Sequence, residues 1–384
     1  MSETVYGRGT HEQFEEYLDL IDLVFGYTNT ENQFRNLLPK LYKPELDPAY
    51  HSFNAYKDGK MVAANGSFPQ ATQEMDVTLR GVGIGNVAVH PDHRHEGHMK
   101  AALTMSVEDM IAQGVDYSCL DGQRQRYNYF SYDHTGTCYR YHIGPNNLRH
   151  YYGDRPLMLT MEEVTADDQT ALDAIAALSD AQLCRPIRDR ERLYDILATW
   201  RAKPHIFLGE GKFVGYCVLS QDGGSVTELL AVDDGYVMEM VRCLCACAGR
   251  EISIVVPPFK PGYRKVLEPS GSGVSVGCCE MFSILCYRRV LEACLKLKAT
   301  YCALADGSFT VLIHGRAGDE QLEIAVTGGN VSVVPTHKAP DVELDHLQAM
   351  NYFFSPVCYL RDNAPAAAQS WFPAPLWSYS ADAV

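Results

Sequence analysis

Basic side chains and one glycine are concentrated in a short segment from Asn86 to Lys100, which reads NVAVHPDHRHEGHMK. Its apolar start indicates the end of a strand, and its proline-containing turn leads into the start of a helix. Free N–H groups at a helix N-terminus, aided by the helix dipole, suit a diphosphate. Gly97 allows the backbone to approach phosphate oxygens closely, and Arg94, His95 and Lys100 add charge or hydrogen-bond donors. The segment therefore predicts a diphosphate-binding turn.

The same turn has a composition that can also bind zinc, because imidazoles close together in sequence sometimes share a metal ion. The residues concerned are His90, His93, His95, Glu96 and His98. No second group of ligands has a matching spacing, and His93 and His95 would be neighbours in one turn. We therefore favour phosphate binding over a metal site and over plain surface histidines, and we predict no bound metal.

The elements that must hold the turn follow from the hydrophobic pattern. Apolar residues recur at helical spacing over 11–25, behind a capping box of Thr10 and Gln13. A hairpin follows, with strands over 51–56 and 61–67. A strand over 82–89, a helix over 97–113 and a strand over 117–120 then surround the basic turn. A hairpin followed by strand, helix and strand predicts an α/β layer.

A second segment repeats this order in a weaker form. The pattern predicts helices over 168–183, 190–201 and 236–248 and strands over 205–208, 213–219, 226–232 and 252–256. We interpret this segment as a diverged copy of the first. In place of the basic turn it has Asp233-Asp234-Gly235, whose negative charge would repel a diphosphate. The copy is therefore expected not to bind a coenzyme.

A third segment begins with a helix over 288–297. Strands over 309–313, 322–326 and 331–334 follow, separated by turns rich in Gly, Asp and Asn. This pattern predicts a short antiparallel sheet with a helix against it. The tail over 363–384 is rich in Ala, Pro and aromatic residues and has no clear period.

Two motifs give the chain a resemblance to a known family. Arg94-x-x-Gly97-x-Met99 resembles the signature of GNAT (GCN5-related) N-acetyltransferases, in which a small residue is usual where Met99 stands. A bulky residue followed by a basic one looks like the Eis-type (enhanced intracellular survival) branch. That resemblance implies an α/β (α+β) chain with tandem GNAT-like mixed sheets and a C-terminal sterol-carrier-like domain. The expected ranges are 1–150 for the catalytic domain, 151–286 for the degenerate second one and 287–384 for the third with the tail.

The second motif is Tyr127-Asn128-Tyr129-Phe130-Ser131-Tyr132, which resembles the Tyr-x-x-x-Gly-Phe/Tyr ending of the GNAT core, with Ser131 in place of Gly. The resemblance implies that Tyr127 protonates the departing thiolate of the coenzyme. The resemblance to Eis-type proteins also implies that the terminal carboxylate of the chain, here that of Val384, deprotonates the amine. Burial of the aromatic tail by plain packing against the sheet is the alternative interpretation.

The family resemblance assigns the basic turn to acetyl-CoA. Val87, Ala88 and Val89 are expected to hold the acetyl carbonyl and the pantetheine amides. The remaining predicted contacts come from the turn itself: Arg94, His95, Glu96, Gly97, His98, Met99 and Lys100. Asp121 and Asp133 flank this site, either as carboxylates that attract a cationic amine or as solvated loop residues.

We expect direct transfer of acetyl to an amine, either a polyamine-like or aminoglycoside-like molecule or a lysine side chain. The resemblance also implies a homo-oligomer, with a hexamer as one form. The rival interpretations are a non-catalytic acetyl-CoA sensor and a lipid-binding carrier that uses the sterol-carrier-like domain.

Composition narrows the class of protein. The formal charge of −15 argues against nucleic acid as the main partner, since phosphate backbones require clustered Lys and Arg. The 13 Cys show no framework of paired spacings, the N-terminus lacks a signal-peptide pattern, and no apolar run of about 18 residues exists to span a membrane. We therefore expect a cytoplasmic protein with free thiols.

Overall fold

The structure is a computed structural model that describes residues 3–27, 29 and 32–384. Its strands are, in chain order, β1 Thr4–Arg8, β2 Ser52–Lys57, β3 Lys60–Glu74, β4 Val77–Val89, β5 Tyr117–Leu120, β6 Asp133–Thr135, β7 Cys138–Ile143, β8 Thr160–Glu163, β9 Cys184–Pro186, β10 Lys203–Gly209, β11 Lys212–Leu219, β12 Ser225–Ala231, β13 Ile252–Val256, β14 Gly273–Gly277, β15 Glu280–Ile284, β16 Gly307–Gly315, β17 Gly318–Thr327, β18 Asn330–Pro335 and β19 Val342–Asp345.

The described residues also form helices, several of which pack against these strands. They are α1 Phe14–Phe25, α2 Phe34–Leu37, α3 His98–Ala112, α4 Arg124–Tyr127, α5 Pro145–Tyr152, α6 Gln169–Asp180, α7 Leu193–Leu197, α8 Val237–Ala248, α9 Pro261–Leu267, α10 Tyr287–Ala299, α11 His346–Phe354 and α12 Ala366–Trp371. None of them is both long and apolar enough to cross a membrane.

The predicted elements of the first segment are confirmed. The N–H of Thr10 donates to Oε1 of Gln13 at 3.0 Å, and the helical turn they cap runs into α1. The β2–β3 hairpin closes at Asp58 and Gly59, whose positive φ angles of 52° and 76° suit the tight turn. Strand β4 pairs antiparallel with β3 and, after α3, parallel with β5.

The first sheet has the order β1-β2-β3-β4-β5-β15-β6, with β9 paired to β3. The second sheet has the order β8-β10-β11-β12-β13-β7-β14. Each sheet is antiparallel except for one parallel pair, β4 with β5 and β12 with β13. The two sheets therefore place their parallel pair at the same point in the strand order, as expected for a copy of one layer.

The two sheets also exchange strands. Strand β7 leaves the first segment to lie between β13 and β14, and β15 returns to lie between β5 and β6. Neither crossing was predicted from the sequence. The expected domain boundary after residue 150 stays a prediction. Strand β7 from before this boundary and strand β15 from after it are each hydrogen-bonded to strands on the other side.

The third sheet has the order β18-β17-β16-β19, with β19 parallel to β16. The predicted helix and three predicted strands are present as α10, β16, β17 and β18, whereas β19, α11 and α12 had no prediction. Apolar residues of α10, α11 and this sheet form one core with Tyr117 and Phe282 of the first sheet. The prediction of an α/β chain with mixed sheets is confirmed, and the likeness to a sterol carrier stays a prediction.

One buried carboxyl beneath these sheets gives a test of the packing. Glu74 ends β3, is 2% exposed, and accepts one hydrogen bond from Sγ of Cys294 at 3.4 Å. Burial raises the pKa of the Glu74 carboxyl from its usual 4.5 to about 7. Because the folded-state pKa is the higher one, stability is greatest below the unfolded value and is lost as pH rises through about 7.

We expect Glu74→Gln to unfold at a higher temperature than wild type at pH 8.5 and to lose that advantage at pH 5. The gain at the higher pH is at most about 3 kcal/mol, because one pKa unit corresponds to about 1.4 kcal/mol. Thermal unfolding at both pH values measures it, with Glu108→Gln on the exposed side of α3 as the control. The same difference at both pH values would refute this account of Glu74.

Candidate active site

The basic turn connects the end of β4 to the start of α3. After Val89, a short helical turn over Pro91–His93 leads to Gly97, which precedes the first residue of α3. Gly97 has φ of 87° and ψ of 3°, in the left-handed region that favours glycine. A Cβ atom at Gly97 would meet nothing within 4 Å. Its backbone conformation, rather than crowding, is therefore what requires glycine here.

Glu96 and His98 hold the turn together. The Glu96 carboxylate lies 3.0 Å from Nζ of Lys57, 3.3 Å from Nδ1 of His93 and 3.2 Å from Nε2 of His98. The hydrogen bond with Lys57, followed by those with the histidines, lowers the pKa of Glu96 to about 2. His98 is buried, and its Nδ1 lies 2.9 Å from the hydroxyl of Tyr6 on β1. These two side chains thus support the turn rather than extend from it.

A cavity of about 700 Å³ opens in front of the turn. Eight predicted coenzyme contacts line it together with Val24, His93, Arg126, Tyr129 and Phe130. Those eight are Val87, Val89, Arg94, His95, Gly97, His98, Met99 and Lys100. Within the described part of the chain, the residues that line this cavity include two arginines and a lysine and no carboxylate. In a chain of net charge −15, such a basic cavity suits an anionic ligand.

Two predicted contacts do not line the cavity. Ala88 is buried on the other side of β4, in the core that contains Tyr17 and Phe68. The side chain of Glu96 is taken up by the contacts described above. Sequence reasoning missed Arg126 and Phe130 of the cavity wall, as well as Lys57 and Tyr6, because nothing local connects them with the turn.

Strands β4 and β5 separate beside this cavity. They pair only where Gly81, Val82 and Gly83 face Tyr117, Ser118 and Cys119. Beyond this point β4 carries a bulge against β3, at which Asn86 has φ of 53° and accepts a hydrogen bond from the Tyr42 hydroxyl. We call this opening the first wedge. Beyond Gly83 the backbone groups of β4 that face the wedge have no partner on β5, and backbone N–H and C=O groups at such an opening can pair with an extended ligand.

Tyr127 lies at the end of α4, just after the first wedge. It is 8% exposed and packs in the core with Val82, Ile84 and Phe130, below the cavity that Val87 and Met99 line. Burial raises the pKa of its hydroxyl. Ser131 adopts φ of 70°, the left-handed conformation for which a glycine was expected. The tyrosine is therefore near the cavity but not among the residues that line it.

Val384 lies on the other face of β4. A Cβ atom at Gly83 would lie 2.7 Å from a methyl carbon of Val384, and one at Gly85 would lie 3.2 Å from its carboxyl carbon. Side chains alternate along a strand, so Gly83 and Gly85 point away from the face on which Val82, Ile84 and Tyr127 pack. Tyr127 and Val384 thus approach the first wedge from opposite sides.

Buried charges hold the tail in this position. Nζ of Lys40 donates to the carbonyls of Ala381 at 2.6 Å and Ala383 at 2.7 Å. Burial lowers the pKa of Lys40 to about 8. Asp382 pairs at 2.6 Å with Arg188, which is bound in turn by Glu228 of β12 at 2.7 Å. The aromatic residues of the tail are buried as well, with Trp371 0%, Phe372 4% and Trp377 7% exposed, and this burial is common to both interpretations of the tail.

Asp121, one of the two acidic residues predicted to flank the site, is exposed. Asp133 is 1% exposed and forms two hydrogen bonds with Arg124, at 2.5 and 2.8 Å. Asp133 is therefore neither a solvated loop carboxylate nor open to an amine, and both interpretations of it were wrong. Among the residues that the structure describes, no group of three His, Cys, Asp or Glu could hold a metal ion.

Comparison with known proteins agrees with this geometry. Residues 6–134 match the family model of an acetyltransferase (GNAT) domain. A comparison with curated proteins gives no match. The domain match makes the protein an acyltransferase, and the prediction of an enzyme is confirmed.

Several solved structures have a similar fold over almost the whole length of this chain. A probable N-acyltransferase from Enterococcus faecalis V583 is 18% identical over 90% of this chain and 88% of its own, with a TM-score of 0.64. A GCN5-related N-acetyltransferase from Kribbella flavida is 16% identical over 91% and 88%, with a TM-score of 0.64. Eis1 from Mycobacterium abscessus is 14% identical over 99% and 98%, also with a TM-score of 0.64. At these identities the likeness is one of fold.

Proposed function

With an acetyltransferase (GNAT) domain at residues 6–134 as the premise, we propose that the protein transfers acetyl from acetyl-CoA directly to an amine. The observation that supports this most is the basic cavity at the Gly97 turn, which opens beside the first wedge. The acceptor is a small polyamine-like or aminoglycoside-like molecule or a lysine side chain. We further propose a cytoplasmic homo-oligomer, with a hexamer as one form, that uses neither nucleic acid nor metal.

The residues around the cavity fit the coenzyme. Arg94 and Lys100 would meet its phosphates together with the free N–H groups at the start of α3. Nζ of Lys100 lies 4.7 Å from the centre of the Tyr129 ring, so this cation is already held at the mouth of the cavity. Backbone groups of Val87 and Val89 would bind the pantetheine amides in the first wedge. The carboxylate of Glu96 would contribute indirectly, since it fixes the turn.

The proposed proton acceptor, Val384, and the residue proposed to stabilise the thiolate, Tyr127, lie on opposite faces of β4. Val384 would accept the proton of the amine through its α-carboxylate, which is beside Gly85. Tyr127 would stabilise the departing sulfur from the other face. An amine must lose its proton to attack a carbonyl and a thiolate leaves more easily when it is hydrogen-bonded, so both groups serve the same step. No covalent acyl-enzyme is required.

The remaining domains would serve this site. We propose that residues 151–286 form a degenerate GNAT-like domain and that residues 287–384 form a sterol-carrier-like domain whose tail reaches the first wedge. At the turn that corresponds to Gly97, the second domain has Asp233 and Asp234, which would repel a diphosphate. Acetyl-CoA is therefore expected to bind once per chain.

Isothermal titration with acetyl-CoA tests the cavity. We expect one site per chain, and we expect Arg94→Ala to raise Kd by roughly 10- to 100-fold, because a charged hydrogen bond contributes roughly 1.5–3 kcal/mol. The matched control is Arg155→Ala, which removes an exposed arginine away from the cavity. Equal affinities for the three proteins would exclude this cavity as the coenzyme site.

Release of free thiol from acetyl-CoA with a panel of amines tests the reaction itself. We expect release only when an acceptor amine is present. Binding of acetyl-CoA without thiol release for any amine of the panel would instead support a non-catalytic sensor. An apolar ligand bound by the third domain, with no acetyl-CoA binding, would support a carrier.

A further inference from the structure

The second sheet has an opening at the place where the first sheet has its wedge. Strands β12 and β13 pair only at Ser225 with Ser253 and at Val226 with Ile254. From Thr227 onward β12 has no partner on β13. This opening, which we call the second wedge, lies at the same point of the strand order as the first.

The second wedge holds part of the chain's own tail. Trp377 is 7% exposed, and it lines a residual space of about 30 Å³ together with Leu229 and Leu230 of β12 and Val255 of β13. Its ring meets that of Phe259 edge to face, with centres 6.1 Å apart at 86°. The space that remains holds about one water molecule. In the second sheet an indole thus occupies the place that corresponds to the proposed pantetheine site in the first wedge.

The same strand holds the tail a second time. Glu228, between the wedge residues Thr227 and Leu229, is 6% exposed and binds Arg188, and Arg188 binds Asp382. Between these two contacts the Tyr379 hydroxyl donates to the carbonyl of Cys184 at 2.6 Å. The seven residues that follow Trp377, up to and including Val384, reach at most about 25 Å when extended. Trp377 and Asp382 thereby fix where Val384 arrives on β4.

We propose that the second wedge is a socket for the chain's own tail and that Trp377 and Asp382 are positioning residues for the Val384 carboxylate. This inference rests on the proposed role of Val384 as the proton acceptor. The diverged copy would then have kept the opened pair of strands and changed its occupant from a coenzyme to an indole. Its acidic turn is no hindrance, because an uncharged ring replaces a diphosphate. Loss of the socket should therefore lower kcat and leave the affinity for acetyl-CoA unchanged.

Trp377→Ala should lower kcat by roughly 10- to 100-fold, since displacement of a catalytic group by about 1 Å can cost that much. The Kd for acetyl-CoA should not change. Trp377→Phe, which refills the wedge with a ring, should restore most of the rate. Asp382→Asn keeps the shape of its side chain and should also lower kcat, so a second variant is at hand if Trp377→Ala does not fold. Circular dichroism and thermal unfolding check the fold of each.

The decisive measurement combines Trp377→Ala with a chain extended beyond Val384. If Trp377 acts through the terminal carboxylate, the two changes together should lower kcat no further than the extension alone. Additive losses, or an unchanged kcat in Trp377→Ala, would overturn the socket while leaving the role of Val384 in place. An extended chain with full activity would instead remove the proposed proton acceptor, and the socket's purpose with it.

Discussion

A protein extended by three residues past Val384 is expected to bind acetyl-CoA with unchanged affinity and to turn over roughly 10²- to 10⁴-fold more slowly, the usual contribution of a general base. The extension converts the α-carboxylate beside Gly85 into a neutral amide. Lys40 and Arg188 hold the tail upstream of this point, so folding should be retained. Steady-state rates of thiol release and titration with acetyl-CoA measure the two effects.

A semisynthetic chain that ends in a Val384 carboxamide is the sharper variant, because it removes the charge and adds no residue. Val384→Ala is the matched control, since it keeps the carboxylate and trims the methyl groups that lie against Gly83. We expect the carboxamide to behave like the extended chain and Val384→Ala to retain most of its turnover. Undiminished turnover of the carboxamide would show that another group, or water, takes the proton.

The sequence predicted the parts of this site that lie close together along the chain. Strand β4, the basic turn and α3 are contiguous, and the periods of their apolar residues and the glycine between them carry the pattern. The same holds for β12 and α8 of the second segment. The tail's aromatic residues predicted burial, because exposed Trp and Phe are costly in water.

The parts that escaped prediction depend on contacts between distant residues. Lys40 binds carbonyl groups 341 and 343 positions away along the chain. Strand β15 begins at Glu280, whereas β5, its neighbour in the first sheet, ends at Leu120. The residues around Lys40 in the sequence do not indicate which groups it binds. The five residues of β15 likewise do not indicate which strands it pairs with. Asp133 shows the reverse error, since its type suggested an amine site while its partner, Arg124, makes it part of the structure.

Tyr127→Phe is the second substitution for which we expect a large loss of turnover. The environment of the Tyr127 hydroxyl indicates how this group takes part in the reaction. Burial raises its pKa above the usual value, whereas a thiol has a pKa of about 8.5 and a tyrosine about 10. Full transfer of the proton to the thiolate is therefore uphill by more than about 2 kcal/mol. We expect Tyr127 to act chiefly through a hydrogen bond to the developing thiolate.

We therefore place the effect of Tyr127→Phe at the lower end of general-acid contributions, a fall in kcat of roughly 10²-fold with unchanged affinity for acetyl-CoA. Tyr129→Phe is the matched control, because Tyr129 is 65% exposed and its ring, which faces Lys100, is kept. Acetyl thioesters whose thiols have a lower pKa should depend less on Tyr127, since their thiolates leave unaided. Equal rates for Tyr127→Phe and wild type would remove Tyr127 from the mechanism, and an equal loss with every thioester would assign it to packing in the core below the cavity.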